Sequence, residues 1–233
     1  RRARRRQEER LADLVTDLRR KGRPTEPGGT AVEVVAHHRG DDGHLLNPST
    51  AAVELLNVVR PTVAVAWFVA FAAHALHLRP EQRERLRAGD PGFAAAFAHE
   101  VRRFYPFAPF VGGRAPGDVA FAGHRIPAGA LVLLDLYGQN HDPALWKDPY
   151  RFDPERFLGP DAAALDPFTL VPQGAGDPAT GHRCPGEPNT VALLSDLAVR
   201  VARLDYTVPP QDLAVPLDRI PTRPRDGMLV SCR

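Results

Sequence analysis

Residues able to do chemistry concentrate in Gly181-His182-Arg183-Cys184-Pro185-Gly186-Glu187, which carries one of only two cysteines, Cys184 and Cys232. A glycine-rich run, Gln173-Gly174-Ala175-Gly176-Asp177, leads into it. A helical pattern follows, with apolar Val191, Leu193, Leu194, Leu197 and Val201 on or near one face. Cys184 therefore stands where a loop enters a helix. The unpaired N–H groups and positive dipole end of a helix N-terminus favour a thiolate over a thiol. A thiolate held there is a soft ligand for iron, and on heme iron it pushes electron density that favours O–O cleavage. The competing role for a free cysteine is that of a small buried core residue.

Two other polar groups stand out. Glu100 and Arg103 are three apart in a helical pattern, so they share a face and can pair. Ala94 to Ala98 precede them and Phe104-Tyr105-Pro106-Phe107 follow, which predicts burial of the pair. Pro154-Glu155-Arg156-Phe157 offers a second arginine between apolar flanks, able to lock a long coil onto that helix through the same carboxylate. The other group is Arg60-Pro61, inside a long apolar helix. Proline there removes an N–H, frees the carbonyl of Asn57 and predicts a kink. An arginine among Val58, Val59, Val63 and Val65 is costly unless an anion meets it. That anion is either a protein carboxylate or a carboxylate-bearing ligand.

The elements that must carry these residues are mostly helical. Residues 2–21 read as a charged amphipathic helix ended by Gly22 and Pro24. Thr30 caps a short helix through His38, and Pro48-Ser49 opens a long one to Leu78. Pro80 to Arg87 and Pro91 to Phe104 are further helices. Val119-Ala120-Phe121, Gly123-His124 and Leu131 to Leu134 read as short strands. Residues 140–183 are mostly coil, long enough to predict a functional loop. The helix after Cys184 runs to about Leu204, and Asp226-Gly227 reads as a hairpin turn before a strand at Met228-Leu229-Val230. Helices first, a small sheet late and one more helix make a mainly α, α+β layout.

Composition narrows the function classes. Of 233 residues 43% are hydrophobic, enough for a real core. Two cysteines make no disulfide framework, which fits a reducing cytoplasm. The net charge of +2 is no nucleic-acid signal. Residues 1–23 hold ten Arg/Lys and four Asp/Glu, so the positive charge is local and reads as a solvated face. The longest apolar run, Val63 to Ala73, falls short of the ~20 residues that span a bilayer. No membrane span is therefore expected. A helix apolar on every side but shorter than that is the central helix of a core.

Taken in order, these pieces resemble the cytochrome P-450, or heme-thiolate oxygenase, superfamily. Glu100-x-x-Arg103, Pro154-Glu155-Arg156-Phe157 and Cys184-x-Gly186 match its signature set. The resemblance implies heme b as cofactor with Cys184 as the axial iron ligand. It implies a structural triad of Glu100, Arg103 and Arg156, and His182 and Arg114 as heme-propionate partners. The usual loop has Phe seven residues and Gly four residues before the cysteine, where this chain has Asp177 and Thr180. The usual central helix has an acid followed by Thr where this chain has Arg60-Pro61. Both departures resemble the hydrogen-peroxide-dependent fatty-acid peroxygenases, as do Leu55 to Ala66 and Pro172 to Glu187. That branch implies Arg60, beside Pro61, as the clamp for a fatty-acid carboxylate, which then serves as acid–base for peroxide. It implies oxidation near the carboxylate, as hydroxylation or decarboxylation, with no redox partner or NAD(P)H. Two rival readings are a reductase-dependent monooxygenase and a non-catalytic heme-binding domain; a third is a helical interaction fragment without heme. Residues 1–233 are expected to form the C-terminal part of one such domain.

Overall fold

A computed structural model describes residues 2–22, 29–163 and 165–232. They fold as two compact units, 1–64 and 65–233. In the first unit, α1 (Arg2–Lys21) and α2 (Ala31–Ala36) accompany the first part of α3 (Pro48–Leu78). Charge on α1 is met along its own surface by Arg4–Glu8 and Arg5–Glu9 pairs at 2.7 and 2.9 Å, the i,i+4 spacing of a solvated face. Val15 is fully buried beside Ala36, Ala51 and Leu55. Arg19 ties the unit together, donating from Nε to Ala36 O at 2.7 Å and from Nη2 to Leu46 O at 2.8 Å. Gly22 ends α1 in the left-handed region, at φ +87°, while Pro24 lies outside the described residues. Thr30 caps α2 as expected, with its amide 2.6 Å from Glu33 Oε2, although the helix stops at Ala36 rather than His38.

In the second unit, the rest of α3 packs with α4 (Pro80–Ala88), α5 (Pro91–Phe104) and α8 (Glu187–Arg203). Phe93, Phe97 and Val101 recur at four-residue spacing on α5, so they share one buried stripe. Phe68, Phe71 and Leu76 of α3, Leu86 of α4, and Leu194, Ala198 and Ala202 of α8 complete the core. Burial of each large apolar side chain contributes roughly 1.5–3 kcal/mol. Tyr105 stacks on Phe71 with ring centroids 4.8 Å apart, and its hydroxyl lies 2.7 Å from His74 Nδ1. By length and composition α3 could cross a membrane, but its apolar residues from Phe68 to Leu76 are spent on this core.

Among the described residues, three separate two-stranded antiparallel pairs replace the single small sheet expected. β1 (Phe110–Arg114) pairs with β4 (Leu131–Asp135), with Phe110 opposite Asp135 and Arg114 opposite Leu131. β2 (Val119–Phe121) pairs with β3 (His124–Ile126), and β5 (Tyr206–Thr207) with β6 (Ser231–Cys232). The β1 strand was not among those expected from the sequence. Space favours glycine at Gly112, where a Cβ would lie 2.9 Å from the backbone carbonyl oxygen of Val132. The strand expected at Met228–Val230 starts only at Ser231. Gly227 and Met228 take φ values of +89° and +67°, which break extended pairing. The described residues of 140–183 are coil but for the end of α6 (Leu136–Asn140), a 3-10 turn at Pro154–Phe157 and α7 (Pro160–Ala163).

Candidate active site

Cys184 sits in a loop pinned by its own backbone. Its N–H donates to Gln173 O at 2.8 Å, and its carbonyl accepts from Glu187 N at 3.1 Å, where α8 begins. The two limbs of the loop press together at Gly174, whose φ is +92° and whose added Cβ would stand 2.0 Å from His182 O. Asp177 shapes the turn between the limbs. Its Oδ1 accepts from Ala179 N at 2.8 Å and Thr180 N at 2.9 Å, and its carbonyl accepts from Gly181 N at 2.8 Å. Those donors hold the Asp177 carboxyl below its ordinary range. This is what Asp177 and Thr180 do in place of the residues usual at those positions.

Cys184 is a free thiol of intermediate exposure, so it is not the sequestered core cysteine of the competing reading. An ideal Cβ on Gly186 would lie 3.7 Å from its Sγ, at ordinary van der Waals contact, so the glycine lies next to the sulfur. A partly open thiol beside a helix N-terminus, on a rigid glycine-cradled loop, fits a thiolate ligand for heme iron. Cys232 is exposed in β6.

Glu100 and Arg103 meet as the sequence predicts, and Arg156 joins them. Arg103 donates from Nε to Glu100 Oε2 at 2.7 Å and from Nη2 to Oε1 at 2.8 Å, with both side chains fully buried. Arg103 Nη1 also donates to Asn140 O and Pro149 O at 2.8 and 2.9 Å. Asp153 N donates to Glu100 Oε1 at 2.7 Å. Burial pushes the Glu100 carboxyl up, against the pull of these donors. Arg156 stands further off, with Nε 3.6 Å from Glu100 Oε2, and spends its guanidinium on carbonyls, among them Lys147 O at 2.9 Å and Arg151 O at 3.2 Å. The triad therefore fastens the coil of residues 140–156 onto α5.

Beside it lies a second buried cluster that the sequence reading missed. Arg102, also fully buried, donates from Nε to Gln173 Oε1 at 2.9 Å, and its Nη2 stands 2.7 Å from Glu187 Oε1 at an angle too sharp for a hydrogen bond. Its Nη1 lies 3.1 Å from His99 Nδ1. Burial first, and the Arg102 cation second, pull the His99 pKa down to about 4, so a neutral ring accepts this contact. Burial opposes the charge on Glu187, but Arg183 and Arg102 outweigh it and hold its carboxyl below the ordinary range. The signal was the doublet Arg102-Arg103. Adjacent helical residues point about 100° apart, so two buried arginines there need separate acids.

Other candidates lie at the surface. Arg114, at the end of β1, is exposed and donates from Nη1 to Gly129 O at 2.8 Å; His182 is exposed on the cysteine loop. Arg60 and Pro61 are exposed on α3, as are Val58, Val59 and Val63, while Val65 is buried. The expected embedding of Arg60 among all four valines is thus corrected: among the described residues its side chain is exposed. Helix α3 is continuous through Pro61. Thr62 Oγ1 donates to Val58 O at 2.9 Å, and Asn57 Nδ2 lies 3.4 Å from Glu54 Oε2. Among the described residues no carboxylate pairs with Arg60.

Residues 93–188 match the model of the cytochrome P-450 family. Carnosic acid synthase of Rosmarinus officinalis is 38% identical over 98 residues, 41% of this chain and 18% of that protein. Cyclooctat-9-en-7-ol 5-monooxygenase of Streptomyces melanosporofaciens is 29% identical over 180 residues, 70% of this chain and 37% of that protein. Among solved structures, a variant of cytochrome P-450 OleT in complex with arachidonic acid is 42% identical, with a TM-score of 0.84 over 98% of this chain and 53% of that one. Cytochrome P-450EX alpha (CYP152N1) with myristic acid is 38% identical, with a TM-score of 0.82 over 100% of this chain and 57% of that one. The chain spans little more than half of those structures. With the fold matched over nearly its whole length, the chain has the fold of these cytochrome P-450 structures and resembles that family, whose cofactor is heme iron held by a cysteine thiolate.

Proposed function

We propose that the enzyme carrying this chain is a cytoplasmic heme-thiolate peroxygenase that uses hydrogen peroxide to oxidise long-chain fatty acids near the carboxylate. Cys184 is the axial ligand, and His182 and Arg114 are the cations for the heme propionates. The observation that carries this reading is Arg60, a cation in the apolar middle of α3, flanked by exposed valines and without a carboxylate partner among the described residues. Such a site suits an amphiphile with an anionic head and an apolar chain. Similar structures hold arachidonic and myristic acid, which supports the same ligand class here.

Bound heme supplies the oxidising chemistry. The protein's part is to place the substrate and handle a proton. Arg60 anchors the fatty-acid carboxylate, and Pro61 closes the acid–Thr route used elsewhere in the family. The anchored carboxylate would take one proton from hydrogen peroxide and return it to the oxygen that leaves as water when the O–O bond breaks, the second oxygen remaining for transfer to the substrate through the chemistry heme would supply. Fixing the head group also fixes which carbons lie next to the oxidant, the α and β positions.

Arg60→Ala in the full-length enzyme tests this. Fatty-acid binding should weaken by about 1.5–3 kcal/mol, the worth of a charge-assisted contact, and peroxide-driven turnover should fall further with the heme spectrum intact. Wild-type turnover in that variant would sink the reading. A second reading, a reductase-dependent monooxygenase, is favoured by the name of the Streptomyces relative. It requires NAD(P)H and a reductase, whereas the peroxygenase runs on peroxide alone.

A further inference from the structure

We infer that Arg102 is a positioning residue for the Cys184 thiolate, acting by gripping both residues that hold the Cys184 backbone. Gln173 and Glu187 are those two: the first accepts the Cys184 N–H at 2.8 Å, and the second donates to its carbonyl at 3.1 Å. Their side chains converge on one guanidinium. Arg102 Nε reaches Gln173 Oε1 at 2.9 Å, and Nη2 reaches Glu187 Oε1 at 2.7 Å. Secondary contacts brace the same two residues. Gln173 Nε2 donates to Thr190 Oγ1 at 3.2 Å, and Thr190 N donates to Gly186 O at 3.0 Å. Arg183, next to the cysteine, donates from Nε and Nη2 to the Glu187 carboxylate at 2.9 and 3.1 Å.

A planar fork suits this task. Its Nε–H donates to Gln173 while the same delocalised cation pairs with Glu187, so one planar group on α5 engages both residues that hold the Cys184 backbone. Lysine would carry the charge without the fork. Arg102 differs in role from its neighbour Arg103, whose partners Glu100, Asn140 and Pro149 are not the residues that hydrogen-bond the Cys184 backbone. Loss of Arg103 should unfasten the coil of residues 140–156. Loss of Arg102 should leave that coil in place and loosen the cysteine seat.

The inference rests on Cys184 as the iron ligand, and its test uses the reduced carbonyl complex of the full-length holoenzyme. The wild type should show the long-wavelength thiolate band; its absence would remove the ligand assignment itself. With that band present, Arg102→Lys should retain heme, yet convert from the thiolate band to the short-wavelength thiol band about tenfold faster. Glu187→Gln, milder and at the loop's edge, should give an intermediate rate and decides the matter if Arg102→Lys fails to fold. Arg103→Lys serves as the contrast, lowering the melting temperature without speeding band conversion in the protein that remains folded. Conversion at the wild-type rate in folded Arg102→Lys, or in Glu187→Gln where the lysine variant does not fold, would overturn the inference. Equal acceleration in Arg103→Lys would overturn it too, because the effect would then be general loosening.

Discussion

Glu100 and Arg103 join through two parallel hydrogen bonds of 2.7 and 2.8 Å, with neither side chain touching solvent. Two charges so placed recover their desolvation cost only while both are present. Glu100→Ala should therefore cost about 3–5 kcal/mol, the usual penalty for stranding one member of a buried pair. Thermal melting of the full-length enzyme checks this, with heme content as a second reading. A variant that melts normally with full heme would show that Arg103 finds enough support in the carbonyls of Asn140 and Pro149.

Replacing the candidate ligand separates the two cysteines. Cys184→Ala should abolish the long-wavelength carbonyl band, while Cys232→Ser, altering an exposed residue of β6, should leave the spectrum unchanged. The reverse outcome would assign the ligand to the C-terminal strand.

A methyl group at Gly174 has nowhere to go. Its Cβ would stand 2.0 Å from the His182 carbonyl, at a φ of +92° that disfavours any L side chain. Gly174→Ala should cost more than the ~1 kcal/mol of a left-handed alanine alone, because backbone must move. The displaced limb carries His182 and leads into Cys184, so the carbonyl band should broaden or shift alongside the drop in melting temperature. Unchanged values for both would mean that the loop opens freely.

Acid should weaken the second unit through His74. Burial first, then the Arg79 cation, bring its pKa down from 6.5 to about 4. Between those values the unfolded chain binds a proton that the folded one refuses, so stability present above pH 6.5 is lost as pH falls toward 4. Replacing His74 by Gln, which can still accept from Tyr105, should flatten the slope of melting temperature against pH across that window. An unchanged slope would place the acid sensitivity on His99 and His141, which are held down in the same way.

The head-group anchor makes a prediction about substrates. A fatty alcohol matched in length should be a poor substrate, because it offers Arg60 no charge and peroxide no base. A short carboxylic acid added as a decoy should restore oxidation of a non-acid molecule in the wild type but not in Arg60→Ala. Rescue in both would detach the acid–base role from Arg60.

Local patterns were enough for much of this protein. Apolar spacing marked α8, proline openings marked α3, α4 and α5, and the Cys184 loop announced itself by glycine and by the helix that follows. These signals are legible because each is set by neighbours within a turn or two. The Glu100–Arg103 pair was legible for the same reason, being three apart on one helix. What needed the folded chain is what joins distant residues. The register of β1 on β4 brings Gly112 against Leu133, a contact that no local rule gives. The exposure of Arg60 is likewise no property of its apolar neighbours, since a helix apolar on every side does not say which side is covered. Arg102 shows the limit best. It meets Gln173 and Glu187 across more than seventy residues of chain, and only close packing of α5 against the start of α8 makes one guanidinium the common partner of both ends of the cysteine loop.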